Sequence, residues 1–543
     1  MFVSNLPYGQ NAYNRNQNSL RGSWDLGNLG NLSGKVEMNM FGGLEKTSSR
    51  IAIAAALGLT LGGFAFHATP AKAADLGGDC CADLEERVAE LEATTVRKGN
   101  KKVSVTLSGW VVKSMNFWDS GDEDGFAVGG KDYDLGSRFA ITGSATIAPG
   151  WSGGFNLTVT ADGTNFGVFS NQNDEFNSVN AIFYGNTFGG INTLYSYIYI
   201  KSDTLGTLNW GHLSPASDNP AVLADASGTV IESNFVGFEG PGFALSSKQA
   251  GTGNGGARWA EFWTTDSAIA NGADAFGGAE PAVRYDSPTW GGFRFETSYG
   301  TAALVPELLD AVVADYPFGT ALGSLYPNTD DSHFWDIAAF YTADWNSIKL
   351  SLAYAYTWME SNPLNGGEED IHQVGGTILH KPSGLGVYAM GQWEIASKSD
   401  SSVCAIGGCL ISDLYYVNGD NLMPDTDMWG IKPFWRKSWS PIGTTTIYGE
   451  YAEYNNFYAA SLANGVNFNA MNINCVDCIV SGSELQRWGL GVVQEIDSAA
   501  MHVWLRWQHQ DLSVDLHDNF DGQKYGTSFD DFDLFQAGGI IFF

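Results

Sequence analysis

Basic residues are scarce in this chain: 28 Lys and Arg stand against 60 Asp and Glu, a formal net charge of -32. No basic stripe offsets that balance, which excludes a nucleic-acid partner. Charge of either sign is thin, at 16% of the residues, and long helical periodicity is missing. Many short strands therefore fit better than a helical body. Long apolar runs are lacking as well. The one strongly apolar stretch, Ile51 to Phe66, falls short of the roughly 20 residues that a spanning helix needs. It follows Lys46 and Arg50 and precedes Ala71-Lys72-Ala73, the order of an exported leader, with cleavage after Ala73 leaving Ala74 to Phe543. Residues 1–39 are rich in Asn and Gly without a periodic pattern, and we expect translation to start at Met40 or Met38.

Catalytic patterns are missing too. The eight His residues include no metalloprotease spacing and no Gly-x-Ser-x-Gly elbow occurs, so the chain reads as non-enzymatic. Gly251, Gly253 and Gly256 match a dinucleotide fingerprint but sit in no strand-helix unit. No cofactor or metal centre is expected. Asp119 to Gly125 has calcium-loop composition, yet a twelve-residue EF-hand frame would begin on Ser120 and end on Lys131, so acidic surface loops would hold divalent cations only loosely. Cysteines number six, as Cys80/Cys81, Cys404/Cys409 and Cys475/Cys478. In an exported chain the last two pairs read as loop disulfides, since either pair alone supplies too few ligands for zinc, although the two together make four. Cys80 and Cys81 would cross-link subunits or anchor a helix.

What the chain does have is a terminal strand. Asp531 to Phe543 ends on an aromatic residue, and Phe543, Ile541, Gly539, Ala537 and Phe535 form an apolar row at period two. Such a strand must pair on both edges, and closing a sheet into a barrel leaves none open. Its natural partner is the first strand, Lys102 to Phe117, where Val103, Val105, Leu107 and Val111 alternate with Ser104, Thr106 and Ser108. Ahead of that strand, residues 74–101 form a helix and linker, with Cys81, Leu84, Val88 and Leu91 on an a/d seam. The seam is too short to stand alone, and reads equally as an oligomeric coil or a solvated lead-in helix.

Short and long connections alternate from there on. The expected strands after the first are Gly136 to Ile147, Trp151 to Ala161, Ile191 to Lys201, Thr204 to His212, Glu280 to Ser287, Phe293 to Gly300 and His333 to Ala343. Next come Ser347 to Trp358, Asp370 to His380, Gly386 to Ser397, Thr426 to Ser438, Gly443 to Tyr454, Glu484 to Ile496, Ala499 to Gln510 and the terminal strand. The count of about sixteen is even, as bacterial barrels require. The expected fold is all-β: a 16-stranded antiparallel transmembrane β-barrel over residues 102–543, with short periplasmic turns and long extracellular loops, behind a short N-terminal helix.

The seam residues Cys80-Cys81-Ala82-Asp83-Leu84-Glu85-Glu86-Arg87-Val88-Ala89-Glu90-Leu91-Glu92, then Arg284-Tyr285-Asp286-Ser287-Pro288 before a Gly-rich turn, and the terminal Phe543 resemble the alphaproteobacterial general porins across essentially all of Ala74 to Phe543. The resemblance implies a homotrimer of sixteen-stranded barrels, each with its third loop folded into the pore. Its partners would be outer-membrane lipid and lipopolysaccharide, small hydrophilic solutes and ions, and the cell wall through the helix. The loops are long and individual, so solute preference does not carry over.

If apolar rows face lipid, Arg138, Arg284, Arg294, Lys349, Lys432, Arg436, Arg487 and Arg506 face the lumen, because a charge on the lipid face near the bilayer centre costs about 2 to 4 kcal/mol. The connection over residues 213–279 carries Asp218, Asp225, Glu232 and Glu239. Infolded, these carboxylates would oppose the basic wall and set a transverse field across a narrow pore. The functional expectation is a passive outer-membrane diffusion channel, with a substrate-specific channel of the same fold or a non-pore surface β protein as alternatives.

Overall fold

A computed structural model describes residues 102–131, 135–161, 192–236, 243, 245–246, 259–262, 279–301, 333–360, 368–397, 404–405, 408–409, 416–417, 420–421, 425–457, 478–518 and 523–543. The leader, the helix seam at Cys81, Leu84, Val88 and Leu91, the Gly251–Gly256 segment, Glu239 and Cys475 lie outside them.

Sixteen strands make up the wall: β1 Ser104–Asp119, β2 Arg138–Ala148, β3 Trp151–Thr160, β4 Asn192–Ser202, β5 Gly206–Leu213, β6 Glu280–Asp286, β7 Phe293–Thr301 and β8 His333–Trp345, then β9 Ile348–Glu360, β10 Glu368–His380, β11 Leu385–Ser397, β12 Thr426–Ser440, β13 Gly443–Asn455, β14 Cys478–Ile496, β15 Met501–Asp518 and β16 Phe532–Phe542. Each pairs antiparallel with its neighbour in sequence. The ring closes where β16 meets β1, in register from Trp110↔Phe542 to Asp119↔Asp533. At the seam Gly109 N donates to Phe543 O at 2.9 Å and Phe543 N to Gly109 O at 3.0 Å. The fold is a closed sixteen-stranded antiparallel barrel, as the alternation of connections predicts, and no edge is left to aggregate.

Two short strands extend the wall at the long-connection end: Asp124–Gly129 pairs with the far half of β1, and Lys524–Ser528 with the far half of β15. β14 and β15 outrun the expected spans Glu484 to Ile496 and Ala499 to Gln510. Leu512, Val514 and Leu516 continue the buried inward row of β15, and this row carries the ladder onward through residues whose polarity reads as loop. Cys404 and Cys409 are backbone partners in a separate two-stranded hairpin, and Cys478 opens β14.

Alternation sorts the two faces. Outward positions carry exposed Leu107, Val111 and Met115 on β1, Leu352 on β9, Val374 and Ile378 on β10, and Leu490 on β14. Aromatic residues bound this band on both sides. Trp335, Trp393 and Trp429 stand toward the long connections, and Trp151, Trp345 and Trp439 toward the short turns. That is the girdle of a barrel with headgroups at both ends. No helix among the described residues is long and apolar enough to cross a membrane, so the crossing elements are strands.

The seam tolerates little. A Cβ at Gly109 would stand 2.3 Å from Arg138 O and 2.8 Å from Phe139 Cα, both backbone atoms of β2. We expect Gly109→Val to cost about 1–3 kcal/mol by overpacking the junction of β1, β2 and β16. The check is the temperature at which the folded, fast-migrating form is lost on detergent gels, and an unchanged transition would contradict a tight seam.

Candidate functional site

The connection from Leu213 to Glu280 turns into the barrel. Its first described stretch, 214–236, opens with a Pro-containing turn in which Asp218 N donates to Pro215 O at 3.3 Å, followed by the helical turn α1, Pro220–Leu223. Pro at the start of α1 suits a position whose N–H has no helical partner. Pro220, Ala221 and Val222 are buried against the wall, and Leu223, 61% exposed, points away from it. α1 fits because β10 has no side chain where the two backbones meet: a Cβ on Gly375 would stand 2.3 Å from Ala221 O. Gly430 on β12 makes similar room for the Phe235 ring.

Hydrogen bonds from the wall hold the described stretch 214–236 along its length. Arg284 on β6 donates to Ser214 O at 2.7 Å, and Ala216 N donates to Ser298 Oγ on β7 at 2.8 Å. The Asp336 carboxylate on β8 accepts from Ser217 N and Oγ, each at 2.8 Å, and from Ser298 N at 2.8 Å. On β10, Gln373 donates to Ser217 O at 3.1 Å and Thr377 to Ala224 O at 2.7 Å, while Tyr388 on β11 donates to Ala221 O at 2.8 Å. Farther on, Tyr454 donates to Phe235 O at 2.8 Å and Arg506 to Glu232 O at 2.7 Å. Phe243 then packs at a tilt against Trp118 and Phe532 at centroid distances of 4.8 and 5.1 Å, and Trp259 lies 5.8 Å from Phe532.

Two carboxylates of the loop meet side chains of the wall, and a third is held within the loop. Asp225 Oδ2 lies 2.6 Å from Lys432 Nζ, with the two side chains 1% and 0% exposed. Lys432 also donates to Thr229 Oγ1 at 3.1 Å and Ser233 O at 2.7 Å. Glu232 lies 2.7 Å from His502 Nδ1. Asp218 accepts from Ser214 Oγ, and from Asn219 Nδ2 at 2.6 Å. Asp225 and Glu232 thus touch the wall rather than face it across open space, while Asp218 is bonded within the loop. A bare carboxylate in a packed interior is costly, and the chain neutralises it by contact.

All eight basic residues singled out from the sequence stand on inward rows, and they divide by role. Lys432, Arg436, Arg487 and Arg506 clamp the loop: Arg436 donates to Ser227 O at 3.1 Å and pairs with Glu495 at 2.8 Å, and Arg487 donates to Asn234 O and lies 3.3 Å from Glu450. Arg284 pairs with Asp286 on its own strand at 2.7 Å, Arg294 pairs with Glu296 and stacks on Phe340, and Arg138 lies over the Trp110 ring at 4.7 Å. Lys349 is exposed on the inward row of β9. Sequence reasoning missed Glu450, Asp336 and His502. Their signal was a charged or titratable residue on the inward phase of a strand, the same signal that found the arginines.

Burial around the ring is lopsided. Inward side chains of β8 to β16 such as Asp336, Gln373, Lys432, Arg487, Gln508 and Gln536 are fully buried beneath the loop, whereas Arg138, Thr142, Asn156, Tyr195, Tyr197 and Tyr199 on β2 to β4 are partly exposed. The expected division, polar residues inward around water, is corrected on the covered side. There Val112, Leu512, Leu534 and Ile540 point inward and pack with loop residues in one buried apolar cluster, and Phe334 packs with Leu213 in a second.

No protein-family model matches the chain, and no curated protein matches it. Among solved structures it is similar to an anion-selective porin from Comamonas acidovorans, at 15% identity over 81% of this chain and 100% of that one, with a TM-score of 0.46. It is also similar to OmpT, an outer membrane protein of Vibrio cholerae, at 9% identity over 82% and 99%, TM-score 0.43. A Salmonella typhi OmpF complex with daunomycin aligns at 11% identity over 82% and 99%, TM-score 0.41. The architecture itself stands on the strand pairing described above.

The pair between Asp225 and Lys432 makes a specific demand. Lys432→Met leaves the buried carboxylate without its cation, and we expect a loss of about 3–5 kcal/mol. It should appear as protease cleavage within residues 214–236 of the folded barrel. The double variant Asp225→Asn/Lys432→Met should recover more than half of that loss, and equal sensitivity in single and double variants would contradict the pairing.

Proposed function

We propose that this chain forms a water-filled channel through a Gram-negative outer membrane, admitting small hydrophilic solutes and ions by passive diffusion. One observation carries the reading: a closed ring of sixteen strands with an apolar, aromatic-bounded outer face and a polar inner face left partly uncovered by an infolded loop. Backbone groups in a hydrocarbon layer must be satisfied internally, and a closed barrel does so. The loop narrows the lumen on one side, and the uncovered strands line what remains. A non-pore surface protein would have no need of an inward row of partly exposed Arg138, Lys349, Arg284 and Arg294. The motifs at Cys80 to Glu92, Arg284 to Pro288 and Phe543 support placing the channel with the alphaproteobacterial general porins.

Because Asp225 pairs with Lys432 and Glu232 is buried against His502, ion preference follows the uncovered side. We expect planar bilayers containing the purified protein to show discrete conductance steps, with Arg138→Ala shifting permeability toward cations by about twofold and Glu232→Ala changing it less. A persistent absence of steps, or the reverse order of the two variants, would count against this reading.

A homotrimer is part of the proposal, with its interface over Ala537 and Gly539 on the outer face of β16, small residues against which a second wall can pack. Ala537→Trp should yield monomers on size exclusion in detergent, while Leu352→Trp, seven strands away around the ring, should leave the oligomer intact. A monomeric wild type would refute the assembly.

A further inference from the structure

The uncovered side of the lumen has a chemistry of its own. Tyr195, Tyr197 and Tyr199 occupy successive inward positions of β4, facing Thr158, Asn156 and Gly154 of β3 in register. Alternate residues on a strand are about 6.8 Å apart, so the three rings form a ladder along the passage. All three are partly exposed, in contrast to the fully buried Tyr388 and Tyr454 that hold the loop.

Two of the rings are held in place. Asn156 Nδ2 donates to Tyr197 Oη at 3.2 Å, and the same amide accepts from Thr158 Oγ1 at 2.8 Å. Tyr199 lies over Gly154, where a Cβ would stand 2.4 Å from its ring Cζ and its Oη. The ring therefore lies against the backbone of β3 with its other face turned to the lumen. Beside this ladder Asn209 on β5 donates to Asp286 Oδ2 at 2.9 Å, and Arg284 donates to Asp286 Oδ1 at 2.7 Å. In a ring of sixteen, β4 stands eight places from β12, one of the strands that carry the loop. The loop side offers exposed Leu223 and partly exposed Val230 and Ile231, while Asp225 and Glu232 are turned into the wall.

Aromatic faces, amide and hydroxyl groups at their edges and an apolar surface across the passage suit a solute with one apolar face and a hydroxyl rim. Simple ions need none of the rings, and an organic cation would meet Asp286 already paired with Arg284. We propose that the Tyr195, Tyr197 and Tyr199 ladder is a binding track for neutral sugars, with linear glucose oligosaccharides stacking ring upon ring as they pass. This rests on the channel reading and names the solute class that its lumen retains.

The test is block of single-channel potassium current by maltopentaose in planar bilayers. Wild type should show block that saturates with sugar concentration. Tyr197→Ala and Tyr199→Ala should each raise the half-blocking concentration roughly three- to tenfold, Tyr199→Phe should stay within about twofold, and sugar-free conductance should persist in every variant. Current that falls only in linear proportion to sugar would overturn the track, as would saturable block of equal strength in the Ala variants. Aromatic carboxylates blocking where maltopentaose does not would overturn it as well. Loss of all conductance steps before sugar is added would instead overturn the channel reading beneath it.

Discussion

Closure is the constraint that everything else in this molecule obeys. A strand edge inside hydrocarbon would leave backbone N–H and C=O groups unpaired at several kcal/mol each, so a sheet that crosses a bilayer must end where it began. Here that requirement falls on ten register pairs between β1 and β16 and on the reciprocal bonds of Gly109 and Phe543. The two termini of the sheet lie at the short-turn end because the strand number is even. From this it follows that long connections all leave from the other end, where one of them can grow inward without disturbing the wall.

The inward loop faces a second constraint, desolvation. A segment bearing Asp218, Asp225 and Glu232 can pack inside a wall only if each carboxylate finds a partner. Asp218 finds Ser214 and Asn219 within the loop, and Lys432, His502 and Arg506 on β12 and β15 meet the loop at the other two. Their placement explains why basic residues cluster on inward rows of the later strands: they anchor chain rather than line water. Glu450 extends the same logic in the other direction, bridging Ser233 of the loop and Arg487 and Gln508 of the wall.

Much of the fold was legible in the sequence because period-two alternation and turn residues are local signals. Ile348, Leu350, Leu352, Tyr354 and Tyr356 declare the outer face of β9 without reference to any other strand. Which wall residues meet the loop was not legible, since six strands of the wall lie between Asp225 and Lys432 in the sequence and neither carries a mark of the other. The apolar inward row Leu512, Val514 and Leu516 misled for a related reason. Alternation shows that two faces differ but cannot say that the inner one is dry, and dryness here depends on a loop that covers it. The extended hairpin of β14 and β15 was missed on the same ground, its ladder being sustained by buried contacts rather than by β-rich sequence.

The lopsided burial has a consequence for transport. A loop that lay across the middle of the lumen with its acids exposed would make charge the main filter. A loop whose described residues are fastened to the wall from β6 through β15 gives up that field and narrows the passage by volume, leaving the chemistry of selection to the partly exposed inward rows. On β2 to β5 these present three tyrosines on one strand, two asparagines in the strands beside it, and Arg138 stacked on Trp110. Rings fixed by Asn156 and by the bare backbone at Gly154 lose little conformational entropy when a solute stacks on them, so even weak faces can hold it. Neutralising the loop and ordering the tyrosines are thus two halves of one arrangement, in which a passage that no longer sorts by sign can sort by shape.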